Sequence, residues 1–97
     1  MPNNMSLLIQ GDILDHNISI KSADFSRVCQ VSETFLFELI EEGILEPEMN
    51  SEELYFSGLY ISRVKKANRL SSDLGINIAG IALILDLLEK IEQLENR

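Results

Sequence analysis

Ninety-seven residues, 45% apolar and 25% charged, make one packed domain and exclude both a second core and a disordered chain. The longest apolar run, residues 78–85, ends at Asp86 and falls far short of the roughly 20 residues that a membrane span needs. Sixteen acids against eight bases give a net charge of −8, a field that repels nucleic acid and anionic membrane and favours basic partners.

Met1-Pro2-Asn3-Asn4 has neither the basic start nor the apolar stretch of a secretory signal, and a single cysteine forms no internal disulfide. A soluble protein of a reducing compartment is expected. The acid is concentrated in the front half: residues 1–60 hold two bases, Lys21 and Arg27, against eleven acids, whereas residues 61–97 hold six bases against five acids.

Near the start, Leu7-Leu8-Ile9 and Ile13-Leu14 flank the turn-like Gln10-Gly11-Asp12, which predicts a small hairpin, and Ile18 and Ile20 alternate with polar Ser19. From Ser22 the period becomes helical, with Phe25, Val28 and Cys29 on one face of a short helix at about 23–29. Ser32 is a suitable cap for a second helix, and Val31 can pack on Leu36 as a hydrophobic staple. Phe35, Leu36, Leu39 and Ile40 form its inward stripe, and Gly43 supplies a left-handed stop. Two helices joined by a tight turn are the grammar of a helix-turn-helix.

Beyond Pro47, the acidic Glu48-Met49-Asn50-Ser51-Glu52-Glu53 precedes Leu54-Tyr55-Phe56, which predicts a two-stranded wing with Ile44-Leu45 as the partner strand. Ser57 is expected to cap a third helix at about 58–73, with Tyr60, Val64, Ala67, Leu70 and Leu74 on its inner face, and Gly75 ends it. Asn77 caps a fourth helix that runs to the chain end, with Ile76 and Ile81 as a second staple. Ile84, Leu87, Ile91 and Leu94 follow a 3-4-3 spacing, widened by Leu88, and exceed what one small core can cover. A homodimer through Ile84, Leu87, Leu88, Ile91 and Leu94 is expected. The predicted organisation is an N-terminal extension over residues 1–17, a winged helix-turn-helix core over 18–75 and a C-terminal dimerisation helix over 76–97. The fold class is mainly α, a winged helix-turn-helix with a small β wing and a long C-terminal helix.

This order of elements, with Val31-Ser32 opening the second helix and Glu41-Glu42-Gly43-Ile44-Leu45-Glu46-Pro47 closing it, resembles the winged-helix regulators of the MerR type. It is most similar to one branch of that superfamily, the bacterial chaperone modulators called CbpM. The residues that carry the resemblance are Gly43-Ile44-Leu45-Glu46-Pro47, Leu54-Tyr55-Phe56, Ala67-Asn68-Arg69-Leu70 with Asp73-Leu74, and Gly80-Ile81-Ala82. It spans about residues 18–95 and rests on the order and spacing of these pieces; the residues before Ile18 and the shorter tail depart from it. The resemblance implies a cytoplasmic, homodimeric, non-catalytic protein that binds the J domain of the DnaJ-like co-chaperone CbpA and restrains its action on DnaK.

The residues themselves give catalysis little footing. His16 and Cys29 are the only His and Cys, too few for a structural zinc site, and neither has a neighbour in sequence that pairs it as nucleophile and base. No phosphate-binding loop is present, because the stretch from Gly75 to Gly80 is not followed by Lys-Ser or Lys-Thr. No metal or cofactor is expected. The competing reading is a MerR-like DNA-binding transcriptional regulator. Against it, residues 32–42 contain Glu33, Glu38, Glu41 and Glu42 and no base, and the wing adds Glu46, Glu48, Glu52 and Glu53. The basic cluster Lys65, Lys66 and Arg69 lies on the outer face of the third helix and reads as a solvated surface. Phe37 points off the inward stripe among Glu33, Glu38 and Glu41. Two readings stand: an anchor for a basic helix, steered by these acids with Glu42, Glu52 and Glu53, or a ring packed under the N-terminal extension.

Overall fold

A computed structural model describes residues 18–96. The hairpin expected around Gln10-Gly11-Asp12, the packing of Phe37 under residues 1–17, and His16 all lie outside the described residues.

Alternation at the start gives strand β1, Ser19–Lys21, with Ile20 buried between two exposed neighbours. It runs without a loop into helix α1, Ser22–Cys29, whose Phe25 and Cys29 are buried as their spacing requires. The Ser26 hydroxyl, also buried, donates to the Ala23 carbonyl at 2.9 Å, so burial leaves it satisfied. α1 ends at Gln30, a non-glycine residue held left-handed at φ 60° while the Val31 N–H reaches back to the Ser26 carbonyl at 3.0 Å. That reversal is the turn of the helix-turn-helix.

Helix α2, Glu33–Glu41, opens on Ser32, whose hydroxyl accepts from the Phe35 N–H at 3.0 Å. Val31 and Leu36 both join the core, as the staple requires. At its far end Gly43 (φ 78°) donates to Ile40 and Ile44 donates to Leu39, the paired bonds of a Schellman stop.

This stop explains a correction to the expected wing. Ile44 and Leu45 do not form its partner strand: both N–H groups are spent on the Leu39 carbonyl, at 2.9 and 3.3 Å, and both side chains are buried. The partner is instead β2, Glu48–Asn50, beyond Pro47, which pairs antiparallel with β3, Glu53–Ser57, in the register Glu48↔Tyr55, Met49↔Leu54 and Asn50↔Glu53. The two-residue loop between them holds Ser51 and Glu52 at φ 54° and 69°, the twist that matches a tight hairpin. The sheet also has three strands rather than two, in the order β1-β3-β2, because β1 pairs with the free edge of β3 and sets Ile20 opposite Phe56.

Helix α3, Tyr60–Leu74, starts two residues later than expected. The Ser57 hydroxyl accepts from the Leu59 N–H at 3.2 Å and so shapes the approach, while Leu59 occupies the cap. Ile61, Val64 and Ala67 face the core, with Tyr60 and Leu70 at its margin. Leu74 does not belong to this stripe: it is the last helical residue, 68% exposed, at the point where Gly75 (φ 66°) turns the chain away. Helix α4, Ile78–Glu95, opens on the Asn77 side chain, which accepts from the Gly80 N–H at 2.8 Å. A Cβ at Gly80 would stand 2.9 Å from Ile76 Cγ2, so the glycine makes the room in which Ile76 folds back over the first turn. The fold is thus mainly α, a winged helix-turn-helix with a small β sheet and a long C-terminal helix.

Relieving the left-handed turn is expected to stabilise the protein. A residue with a Cβ at φ 60° carries a penalty of about 1 kcal/mol, which glycine avoids at some entropic cost, so Gln30→Gly should add about 0.5 kcal/mol and raise Tm by a few degrees. Gly43→Ala should lower it by a comparable amount, and thermal unfolding followed by circular dichroism measures both.

Candidate functional site

The sequence-predicted partner residues fall on two separate elements. On α2 the core takes Leu36 and Leu39, with Phe35 and Ile40 at its margin, which turns the opposite face to solvent. Glu33, Phe37 and Glu41 recur at i, i+4 along that face, and Phe37 is 51% exposed between the two carboxylates. Glu38 stands one residue further round, and Glu42 at the cap faces another side. The Ser22 hydroxyl donates to Glu33 at 3.4 Å, which ties this end of α2 to the start of α1.

Glu52 and Glu53 belong to the hairpin, not to this face. Glu52 sits in the loop, and Glu53 opens β3, with its carboxylate 3.6 Å from the Lys21 ammonium on β1. That pair offsets part of the acid counted in the wing. The helix packs chiefly on α1, whereas the sheet packs on α1 and α3, so the structure does not draw the seven residues into one patch.

The expected dimer residues lie on α4, and more than half of that helix has no cover. Leu85 is its last buried residue, and residues 86–96 are all exposed. Leu87, Leu88, Ile91 and Leu94 are 46 to 62% exposed, while Ile84 is half-buried at the edge of the core. Leu83, 60% exposed, extends the same stripe toward the helix start and was missed because its neighbours Ile84 and Leu85 satisfied the pattern first. Among the described residues no helix is long and apolar enough to cross a membrane.

Arg63 is the residue that sequence reasoning passed over. From α3 its guanidinium donates to the Ile44 carbonyl at 3.2 Å, pairs with Glu89 of α4 and lies 5.8 Å from the centre of the Tyr60 ring. One side chain therefore joins α3, the loop after α2 and the base of the α4 projection. Its partners lie 19 and 26 positions away in sequence, beyond the reach of any local pattern.

The sequence model of the family described as "MerR HTH family regulatory protein" matches residues 20–97. A chaperone modulatory protein CbpM from Coxiella burnetii (strain Dugway 5J108-111) is 35% identical over 91 residues, covering 93% of this chain and 86% of the relative. The chain belongs to the CbpM family. Other relatives with that name, from Pseudomonas entomophila (strain L48) and Pseudomonas putida (strain W619), are 35% and 30% identical over 81 residues, covering 79% of the chain and 80% of each relative. The members are named as modulators or regulators, and the chain carries the MerR helix-turn-helix with a CbpM-type assignment.

The side-chain chemistry of this CbpM family member is quiet where it is buried. Cys29, on the apolar face of α1, packs in the core, and burial pushes its thiol up from 9.0 to about 11, with nearby Lys65 pulling the other way. Among the described residues no group of three or more His, Cys, Asp or Glu converges as a metal site would require. The raised thiol predicts a pH effect with a definite sign. The unfolded chain loses this proton near pH 9 and the folded chain only near 11, so stability falls as pH rises through that window and is unaffected below it. Urea unfolding at pH 8 and pH 10.5 should show the decline, and Cys29→Ala should make it shallower.

Proposed function

We propose that the chain is a non-catalytic adaptor that binds the J domain of a DnaJ-like co-chaperone, of the CbpA type, and inhibits its stimulation of DnaK. The observation that carries this reading is Phe37, exposed on the outer face of α2 and framed by Glu33 and Glu41. A large ring left in water by an otherwise well-packed helix is the kind of group that supplies most of an interface's binding energy once covered. Its acidic frame suits a basic helix on the J domain, because opposite charge speeds encounter and fixes orientation. Glu38 and Glu42 extend that field along α2, while Glu52 and Glu53, proposed from the sequence as further contacts, stand apart on the hairpin, Glu53 beside Lys21. Occupation of the basic helix excludes DnaK by direct competition, with no change in the J domain's fold.

The same helix would be the one to enter a DNA major groove, and its charge opposes that use. From Glu33 to Glu42 it offers no lysine or arginine to a base edge or phosphate, and the wing that would straddle the backbone carries Glu46, Glu48, Glu52 and Glu53. The adaptor is further proposed to be a cytoplasmic homodimer through Ile84, Leu87, Leu88, Ile91 and Leu94. The support is the row of side chains from Ile84 to Leu94, about 15 Å of helix, half-buried at Ile84 and about half-exposed beyond it, at the 3-4-3 spacing that two helices bury together.

Calorimetry against an isolated J domain, paired with a DnaK ATPase assay, tests the adaptor. Phe37→Ala should weaken binding by at least about fivefold and relieve inhibition in step, whereas reversing Glu41 and Glu42 to lysine should mainly slow association and flatten its salt dependence. Equal affinity and inhibition in both variants would falsify the α2 surface. For the dimer, light scattering should give twice the chain mass at tens of micromolar, and Leu87→Glu should give the chain mass; a monomeric wild type rejects that part.

A further inference from the structure

A groove runs from the base of the wing along the joint between α3 and α4; it is separate from the α2 surface and takes Leu88 and Ile91 from the α4 row proposed above for the dimer. Its two hollows, about 400 and 580 Å³, share Leu59 and Arg63 as a common wall. Leu59, Leu88 and Ile91 give it an apolar lining and are each about half exposed. The lip is acidic. Glu46 and Glu48 stand at the wing end, and Glu89, Glu92 and Glu95 follow along α4. Of the two bases that line it, Arg63 is already held by Glu89 and the Ile44 carbonyl, which leaves Lys66 against four carboxylates. Among the described residues those four form no ion pair.

We propose that this groove is a docking site for a basic amphipathic helix of a partner protein. A helix is 10 to 12 Å across and needs an apolar floor with opposite charge at its flanks, which Leu59, Leu88 and Ile91 and the surrounding glutamates provide. Charge selects this occupant over a second copy of the chain. A second copy's α4 would bring its own Glu89, Glu92 and Glu95 to this acidic lip. The second copy is better served by the other stripe of α4, where Leu87 stands about 100° round from Leu88 and the nearby Asp86 and Lys90 neutralise one another at 3.3 Å. A basic helix in the groove thus competes with a second copy for Leu88 and Ile91 and leaves Leu87 and Leu94 to the copy. The groove reading stands apart from the J-domain reading of α2, since the two surfaces share no residue.

The test uses the full chain and a synthetic helical peptide of about 15 residues, with leucines on one face flanked by lysines, beside a control with glutamate in place of every lysine. Amide shifts on titration should concentrate at Leu59, Lys66, Leu88 and Glu92. The doubly substituted Glu92→Lys, Glu95→Lys should weaken binding by about tenfold and flatten its salt dependence, Leu88→Ala should weaken it severalfold, and Phe37→Ala should leave it unchanged. All these positions, Lys66 included, are exposed and outside the core cluster, and unchanged thermal unfolding of each variant confirms that the fold is kept. The proposal is overturned if the shifts map to α2, if the acidic control binds equally well, or if Glu92→Lys, Glu95→Lys binds like wild type. It also falls if the groove resonances ignore the peptide, whether because a second copy or residues 1–17 already fills the groove.

Discussion

The fold depends on the contact between Phe25 of α1 and Phe56 of β3, whose ring centres lie 4.9 Å apart with planes tilted by 34°. Both rings are fully buried, and β3 is the central strand, so this pair locks the sheet onto the helices. Burial of two phenylalanines contributes several kcal/mol, a large share of what a domain this small can assemble. The contact also sets directions. Since β1 leads straight into α1, Ile20 and Phe25 reach the same strand from five residues apart, and the chain leaves α1 at Gln30 already aimed across the core. α2 must then bury Leu36 and Leu39, and the face carrying Glu33, Phe37 and Glu41 has only solvent to meet.

α4 is governed by the reverse condition, an excess of apolar surface over available core. Ile81 and Leu85 exhaust the core's demand within its first two turns, and residues 86–95 continue as helix with leucines and isoleucine in water. A helix of ten residues without tertiary packing is marginal on its own, so the order of this projection is coupled to whatever buries it. Arg63 stabilises its root by pairing with Glu89 while fixed to the Ile44 carbonyl, which anchors the overhang to the loop that ends α2. The proposed interfaces on α4 therefore grow from a rigid base.

What the sequence disclosed was mostly local. Ser32, Gly43, Gly75 and Asn77 act through hydrogen bonds within a few residues of themselves, and the helices they bound were legible to within two residues at either end. The strand pairing was not legible, because Ile44 and Leu45 look like a strand by composition while their N–H groups were committed to Leu39, a fact visible only once the Schellman stop is built. Leu74 kept the right period and lacked anything to pack on. Phe37 could be read as exposed from the stripe it leaves, yet the separation of Glu52 and Glu53 from it is a matter of tertiary placement. The groove joins Glu46 to Glu95 across three elements and had no signature in one dimension.

The helix-turn-helix scaffold and the outer face of its second helix are under separate physical control, so the charge of that face can change without the fold. The scaffold needs apolar residues at Phe25, Leu36, Leu39 and Phe56 and the reversals at Gln30 and Gly43; none of these touches the solvent side of α2. Four glutamates can replace bases there at little cost to stability, since exposed charges are screened within about 8 Å at physiological salt. The same replacement inverts the sign of the field that a partner meets on approach, and association rates respond to that field over orders of magnitude. A surface that a duplex would find repulsive becomes one that a basic protein helix finds attractive, with the backbone beneath it unchanged.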